Sequence, residues 1–183
     1  MLDWVISPIL GLVKWIWGKL LAPRLRLDFL ADPACSSRAG AVRGDRGQNL
    51  FPIVKNGDMW QVVFGLAMRN EGRLEARNWR MRFVTSEATT MMHLDKRPDD
   101  RRSVTETPIG SGWQHEVQAG GPSDTVPPRM PVYIHGRHTL NFGGNPDAVV
   151  VRCWLTAEGI ATREVTLRVE PDWGKMTALF RWQ

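Results

Sequence analysis

Cysteine and tyrosine are scarce in this chain of 183 residues, which has two cysteines, Cys35 and Cys153, and one tyrosine. It contains no CxxC pair and no ladder of cysteines, which excludes a disulfide-stapled scaffold. A reducing compartment fits this usage best, although one bridge between the two cysteines stays open. Cys153 falls at an inward position of an apolar strand, so we interpret it as a small core residue.

Signatures of the common enzyme and cofactor sites are also missing. The chain has no Walker A motif, no GxGxxG after a strand, no GxSxG and no HExxH. Four histidines are present: His93, His115, His135 and His138. His135 and His138 lie between "PVYI" and "TLNF" and are predicted to form a turn between two strands. Asp95, Asp99 and Asp100 belong to a charge-dense loop without the EF-hand order. We therefore predict no catalysis, no metal and no cofactor.

The composition is that of a globular protein with a basic surface. Hydrophobic residues make up 43% and charged residues 23% of the chain, and the net charge is +5. A positive charge favours anionic partners such as lipid headgroups or nucleic acid. Three of the nine tryptophans lie in the opening segment.

That opening segment, "LDWVISPILGLVKWIWGKLLAPR" over residues 2–24, predicts an N-terminal membrane helix at residues 1–22. Between Trp4 and Leu21, Lys14 is the only charged residue before Lys19. A helix of this length is roughly 27 Å long, which just crosses the hydrocarbon core. A helix lying in the membrane interface and a buried helix of a soluble domain remain as alternatives.

One stripe of the predicted helix carries its small and basic residues: Ser7, Gly11, Lys14 and Gly18. Small residues let helices pack closely in lipid, and Lys14 would then face a helix interface or a pore. In an interfacial helix, Lys14 and Lys19 would instead reach toward headgroups.

Charges on the two sides of the apolar run set its predicted orientation. Asp3 precedes the run, whereas Lys19, Arg24 and Arg26 follow it. The positive-inside rule therefore places the C-terminal domain in the cytoplasm, as in a single-pass protein of a bacterial inner membrane. The same charges argue against a signal peptide. Predicted membrane-interface residues are Trp4, Trp15, Trp17, Lys19, Arg24 and Arg26.

Residues 23–183 form the second predicted domain, in which the hydrophobic period changes to two. Alternation over 24–29, 59–70, 77–86, 148–157 and 163–170 predicts strands. Weaker strands are expected over 113–117, 131–134 and 138–142. Residues 31–49 are predicted to be a long loop. About seven strands separated by turn signals indicate an all-β, antiparallel sandwich.

The phrase "LAMRNEGRLEARNWRMRF" (66–83) reads as strand, Asn-x-Gly, three residues, Ala-x-Asn, strand. It resembles a hairpin common in bacterial immunoglobulin-like domains, including the cell-adhesion-related type. The resemblance implies an immunoglobulin-like sandwich that binds, braces or spaces. In it, Gly72 would take a positive φ, and Ala76 and Asn78 would begin the returning strand.

A basic patch is predicted at Arg69, Arg77, Arg80 and Arg82, where it could meet anionic headgroups. Nucleic acid is the less favoured ligand, because Trp79 is expected to point inward rather than between the arginines.

These features together predict a membrane-anchored, non-catalytic interaction or regulatory protein. Its cytoplasmic sandwich would bind a protein partner at the bilayer. The alternative is an oligomerising, pore-forming effector of the bacterial immunity type, in which the helices associate and the sandwich acts as the sensor.

Overall fold

The computed structural model describes residues 11–13, 15–18, 20–30, 42–43, 49–85, 90–94, 102–121 and 123–183. Within these residues the protein is all-β, with twelve strands and one short helix formed by residues 11–13, 15–18 and 20–21. The strands are β1 (Leu25–Leu30), β2 (Val42–Arg43), β3 (Asn49–Asn56), β4 (Met59–Asn70), β5 (Arg80–Thr85), β6 (Met91–His93), β7 (Ser103–Ile109), β8 (Gly112–Gln118), β9 (Pro131–Phe142), β10 (Val149–Thr156), β11 (Arg163–Asp172) and β12 (Thr177–Trp182).

The helix of the predicted membrane segment is described only from residue 11 onward. Among the residues described, no helix combines the length and the apolar character that a membrane crossing requires.

All strands pair antiparallel in one curled sheet with the order β6-β9-β4-β3-β12-β11-β10-β5-β8-β7, while β1 pairs with β4 and β2 with β3. Strand β3 connects the two halves of this sheet. Its residues 50–52 pair with β12, and its residues 53–56 pair with β4. We call strands β1, β4, β6 and β9 the β4 half of the sheet. Strands β12, β11, β10, β5, β8 and β7 form the β10 half.

The core lies between the two halves and is built by alternation along their strands. Every second residue of β4, from Val62 through Phe64 and Leu66 to Met68, is at most 1% exposed. The ring of Phe29 in β1 lies 4.9 Å from that of Phe180 in β12, so the halves meet through aromatic side chains. Burial of one such side chain stabilises a fold by roughly 1.5–3 kcal/mol.

The strand count of about seven was too low. The alternating strands β1, β4, β5, β10 and β11 are confirmed, but five further strands are present: β2, β3, β6, β7 and β12. The long loop predicted over 31–49 is wrong at residues 42–43 and 49, which belong to strands β2 and β3. Residues 31–41 and 44–48 lie outside the described residues.

The predicted turn at His135 to His138 is also wrong, because β9 runs without interruption through residues 131–142. The two weaker strands predicted there are one strand. Its pairing with β4 shifts between Phe64 and Leu66, which face His138 and Ile134 respectively. Residues 135–137 therefore lie opposite one residue of β4. Such a bulge keeps the chain in the sheet while it changes the register.

The phrase over residues 66–83 is not a hairpin. Strand β4 pairs with β1, β3 and β9, whereas β5 pairs with β8 and β10, so the chain crosses between the halves here. Ala76 forms an isolated bridge with Val126, and Asn78 precedes β5 with φ of 48°. Gly72 does not have the predicted positive φ.

Gly72 is instead required by a close approach of two backbone segments. A Cβ at this position would lie 2.8 Å from the Pro23 Cα and 2.9 Å from the Arg24 N, and would overlap the Ala22 carbonyl oxygen. Only glycine leaves room for the chain that leaves the helix at this point.

Candidate functional site

The described part of the helix is apolar and exposed. Six large side chains there have relative exposures from 41% to 59%: Leu12, Val13, Trp15, Ile16, Trp17 and Leu20. At 100° per residue they occupy an arc of about 200° on the helix surface. An apolar helix face of this width is normally covered by lipid or by protein.

The rest of the helix circumference belongs to the predicted small-residue stripe. Gly11 and Gly18 both lie in the helix, and a Cβ at either would meet no atom within 4 Å. Ser7 and Lys14 lie outside the described residues. Trp15 and Trp17 of the predicted interface set are exposed, and so are Arg24 and Arg26. Trp4 and Lys19 lie outside the described residues.

Backbone hydrogen bonds join the end of the helix to the segment between β4 and β5. The Leu21 carbonyl oxygen accepts from the N–H of Leu74 at 2.9 Å and from that of Arg73 at 3.3 Å. The Glu71 N–H donates to the Arg24 carbonyl oxygen at 2.8 Å. The helix is thus attached to the domain by more than the chain connection.

Asn70, the first residue of the Asn-x-Gly phrase, organises this junction from a fully buried position. Its Oδ1 accepts from the N–H of Arg24 at 3.0 Å and from that of Gly72 at 2.9 Å. Its Nδ2 donates to the carbonyl oxygens of Leu74 at 2.6 Å and Val126 at 3.0 Å. One amide therefore holds the helix exit, its own turn and the 123–130 segment together.

The predicted basic patch is divided by the fold. Arg80 and Arg82 lie on the outer face of β5 in the β10 half, whereas Arg69 lies on β4 and forms an ion pair with Asp28. Arg77 lies between β4 and β5, where its Nε is 3.1 Å from Glu75. Hydrogen bonds from Thr125 and Arg77 hold the pKa of the Glu75 carboxyl below its ordinary value.

An outward tryptophan that sequence reasoning missed completes this face. Trp154 in β10 is the cross-strand partner of Arg82. The guanidinium of Arg82 lies 4.5 Å, and that of Arg152 5.4 Å, from the Trp154 ring. Trp79 is only 1% exposed, as expected. Alternation in β10 was the available signal, because Cys153 inward requires Arg152 and Trp154 outward.

A cleft of about 560 Å³ opens beside this Arg82–Trp154–Arg152 stack. Its lining includes Arg80, whose Nε lies 3.3 Å from Glu116, and Glu158, which accepts a hydrogen bond from Asn78 Nδ2 at 2.8 Å. Among the described residues, the buried Nε of Arg82 has no hydrogen-bond partner. Stacked guanidinium groups can bind carboxylates. The cleft carries charges of both signs, Arg80 and Arg82 beside Glu116 and Glu158.

The histidines do not form a metal site in the part of the chain that the structure describes. His93 and His115 both approach Glu106, with Nδ1 to Oε1 distances of 2.9 and 3.5 Å. Burial lowers the pKa of His115, although Glu106 acts in the opposite direction. His138 is buried, with its Nε2 3.0 Å from the Ile134 carbonyl oxygen.

The described cysteine has no environment that would activate it. Cys153 is fully buried in β10, opposite Phe83 of β5. Burial raises the pKa of its thiol far above the ordinary value. A thiol that stays protonated at neutral pH is a poor nucleophile. Asp95, Asp99 and Asp100 lie outside the described residues.

Comparisons with known proteins give little further information. No protein-family model matches the chain, and no curated protein gives a significant sequence match. Among solved structures, the chain matches a GH20 exo-β-N-acetylglucosaminidase from Vibrio harveyi in complex with N-acetylglucosamine. The match has 14% identity and a TM-score of 0.34, and covers 78% of this chain but 17% of that one. A similarity this low carries no argument about fold or activity.

Proposed function

We propose that this protein is a membrane-attached binding module that catalyses no reaction. Its N-terminal helix is held in the bilayer, and its β domain presents the Arg82–Trp154–Arg152 stack to a protein partner. The observation that supports this most is the exposed apolar helix, which Arg73 and Leu74 join to the domain by hydrogen bonds.

Lipid is the partner that best explains the helix. The exposed surface contains two tryptophans and four aliphatic side chains, and such a surface in water promotes aggregation. Tryptophan is enriched where membrane meets water, and arginines following an apolar run favour the cytoplasmic side. We therefore assign the domain to the cytoplasmic face of a bacterial inner membrane, with a single helix as the anchor.

The proposed fold of the β domain is an immunoglobulin-like sandwich. It is supported by the antiparallel pairing, by a sheet that curls so that its two halves share one core, and by strand β3, which takes part in both halves. Strands that switch between two packed sheets are a feature of such architectures. Domains of this kind generally bind partners through exposed faces and loops.

A protein with exposed carboxylates is the partner we propose for the arginine-bearing face. The guanidinium groups of Arg82 and Arg152 lie 4.5 and 5.4 Å from the Trp154 ring, which orients them before binding. Arginine and tryptophan are the residues that most often dominate binding energy at protein interfaces. Pull-down with Trp154→Ala as the comparison would identify partners that depend on this face.

Flotation of the full-length protein with neutral phosphatidylcholine vesicles tests the membrane proposal. We expect the protein to float with the vesicles. Trp15→Asp combined with Trp17→Asp should abolish flotation, because each charge in the apolar layer costs roughly 2.5–3.5 kcal/mol. Ile109→Asp combined with Met176→Asp alters two exposed residues of the β domain, the last residue of β7 and a residue of the turn before β12, and should leave flotation unchanged.

Loss of flotation in both double variants, or failure of the wild-type protein to float, would contradict the proposal.

Native mass spectrometry in detergent separates the anchor from the pore-forming alternative. A monomer is expected. Oligomers that Gly11→Leu abolishes would support the effector instead, because Gly11 lies in the small-residue stripe.

A further inference from the structure

The end of the β domain next to the helix has an exposed surface of arginines and large apolar side chains. Arg24 follows the helix, and Arg73 and Leu74 donate to its last carbonyl oxygen, that of Leu21. The Arg129 N–H donates at 2.8 Å to the carbonyl oxygen of Asn70, the residue at the centre of the same junction. We call the exposed side chains Arg24, Arg73, Leu74, Arg129 and Met130 the helix-end surface.

The apolar members of this surface project into solvent. Leu74 is 50% exposed and Met130 is 61% exposed, which makes Met130 the most exposed large apolar side chain among the described residues. Both are held by ordered backbone, since the Leu74 carbonyl oxygen accepts from Asn70 and Met130 directly follows the anchored Arg129.

The arginines of the helix-end surface have no acidic partner among the described residues. Arg26, Arg69 and Arg77 each lie within 4 Å of a carboxylate. No such ion pair involves Arg24, Arg73 or Arg129 in the part of the chain that the structure describes. Their positive charge is therefore available to an external anion.

The backbone of Arg129 supplies an independent observation. Its φ is +62°, in the left-handed region that glycine adopts without strain. Arginine in this conformation costs conformational free energy, and the bridge between Asn70 and Pro128 holds it there. Strained non-glycine residues concentrate at functional positions. Asn78 and Met176 share this conformation, and among the three Arg129 is the one with an exposed basic side chain at the helix-end surface.

We propose that the helix-end surface binds anionic phospholipid headgroups. Arg24, Arg73 and Arg129 contact the phosphates, and Leu74 and Met130 enter the interfacial layer. This inference rests on the proposed membrane helix, since a helix in the bilayer brings this end of the domain to the headgroups. The domain is then docked on the membrane in one orientation, with the Arg82–Trp154–Arg152 stack at a defined place relative to the bilayer.

Hydrogen exchange on the full-length protein in nanodiscs tests the proposal. One set of nanodiscs contains phosphatidylcholine alone, and the other contains phosphatidylcholine with phosphatidylglycerol. We expect amides of residues 71–75 and 123–130 to exchange at least about fivefold more slowly in the anionic discs, the contribution of one basic residue at such a surface. High salt should remove the difference.

Matched charge reversals separate docking from general electrostatics. Arg73→Glu combined with Arg129→Glu should abolish the lipid-dependent protection. Lys55→Glu combined with Lys175→Glu changes the net charge equally. Lys55 lies beside the turn between β3 and β4, and Lys175 lies in the turn between β11 and β12, away from the helix-end surface. That variant should retain the protection. Arg129→Gly should also lose most of it while unfolding at an equal or higher urea concentration, because the left-handed strain is relieved.

Equal exchange in the two kinds of nanodisc, or equal loss with both double variants, would overturn the docking inference while leaving the membrane helix intact. Failure of the wild-type protein to enter either kind of nanodisc would instead refute the proposed function.

Discussion

Asn70 is the residue on which attachment of the helix to the domain depends most. Its side chain makes four hydrogen bonds, two as acceptor and two as donor. Asn70→Ala would leave the N–H groups of Arg24 and Gly72 and the Leu74 carbonyl oxygen without these partners, while the Val126 carbonyl oxygen keeps the Ala76 N–H. Each unsatisfied buried group costs about 1–3 kcal/mol. We expect the free energy of unfolding in urea to fall by about 3 kcal/mol.

Asn145 provides the matched control for this change. It is exposed, and its Oδ1 accepts one hydrogen bond, from the Trp60 indole at 3.0 Å. Asn145→Ala should lower the free energy of unfolding by less than about 1 kcal/mol. Similar losses for the two variants would show that Asn70 does not have the special role described.

Strand β12 lies between two other strands of the sheet, although it is the last strand along the chain. It pairs with β11 on one side and with β3 on the other. The Phe180 ring lies 4.6 Å from Phe51, 4.9 Å from Phe29 and 5.5 Å from Phe64. Phe180 therefore packs against aromatic rings of β1, β3 and β4 at the contact between the two halves.

Phe180 is partly buried, and Phe180→Ala should lower the free energy of unfolding by about 2 kcal/mol, because the packing against Phe29, Phe51 and Phe64 is lost. Met176→Ala, in the exposed turn before β12, should change it by less than about 0.5 kcal/mol. Chemical denaturation measures both values. A small effect of Phe180→Ala would contradict the position assigned to β12.

Apolar alternation marks β1, β4, β5, β10 and β11, because one face of each packs in the core. It does not mark every strand with a buried face: Phe51 and Ile53 of β3 are buried, but they lie in the unbroken apolar run "LFPIV". Strand β7 pairs only with β8, and all but one of its residues are exposed, so its sequence "SVTETPI" has no apolar period. The bulge in β9 places residues 135–137 opposite one residue, and that change of register has no local sequence signal.

The candidate site, too, could be predicted from the sequence only in part. The outward positions of Arg80 and Arg82 follow from alternation within β5. Their neighbour Trp154 is 72 positions beyond Arg82 in the chain and required knowledge of the β5–β10 pairing. The Asn-x-Gly phrase coincides with the end of β4, but it does not close the predicted hairpin, and the reason for Gly72, the approach of residues 22–24, is a tertiary contact.

At the scale of the whole molecule, a histidine–glutamate cluster lies where the outer strands of the halves meet. His93 belongs to β6 in the β4 half, while Glu106 in β7 and His115 in β8 belong to the β10 half. His115 is fully buried; its Nδ1 lies 3.5 Å from Glu106, and among the described residues neither ring nitrogen has a well-formed hydrogen bond. Protonation of the His115 ring would place a positive charge in a buried position between the outer strands of the two halves.

Stability should therefore fall in mildly acidic solution. Burial lowers the pKa of His115 in the folded state, with Glu106 opposing and His93 adding to the effect. Near and below pH 6.5 the unfolded chain binds this proton more fully than the folded chain does, so the free energy of unfolding decreases as pH falls. We expect a measurable loss between pH 7 and pH 5.5, of at most about 1 kcal/mol for this one group.

Urea denaturation of His115→Gln checks this attribution. The variant should lose most of the pH dependence in that interval, whatever its stability at pH 7. His93→Gln changes the exposed histidine of the same cluster and should retain it. An unchanged slope in His115→Gln would assign the pH dependence to other groups.

The most direct test of the central claim is alkaline carbonate extraction of membranes from bacteria that express the full-length protein. The proposed membrane helix predicts that the protein stays with the membrane pellet, as integrated proteins do, and that Trp15→Asp combined with Trp17→Asp releases it. Release of the folded wild-type protein into the supernatant would contradict membrane integration, and the exposed apolar helix would then need a protein partner to cover it.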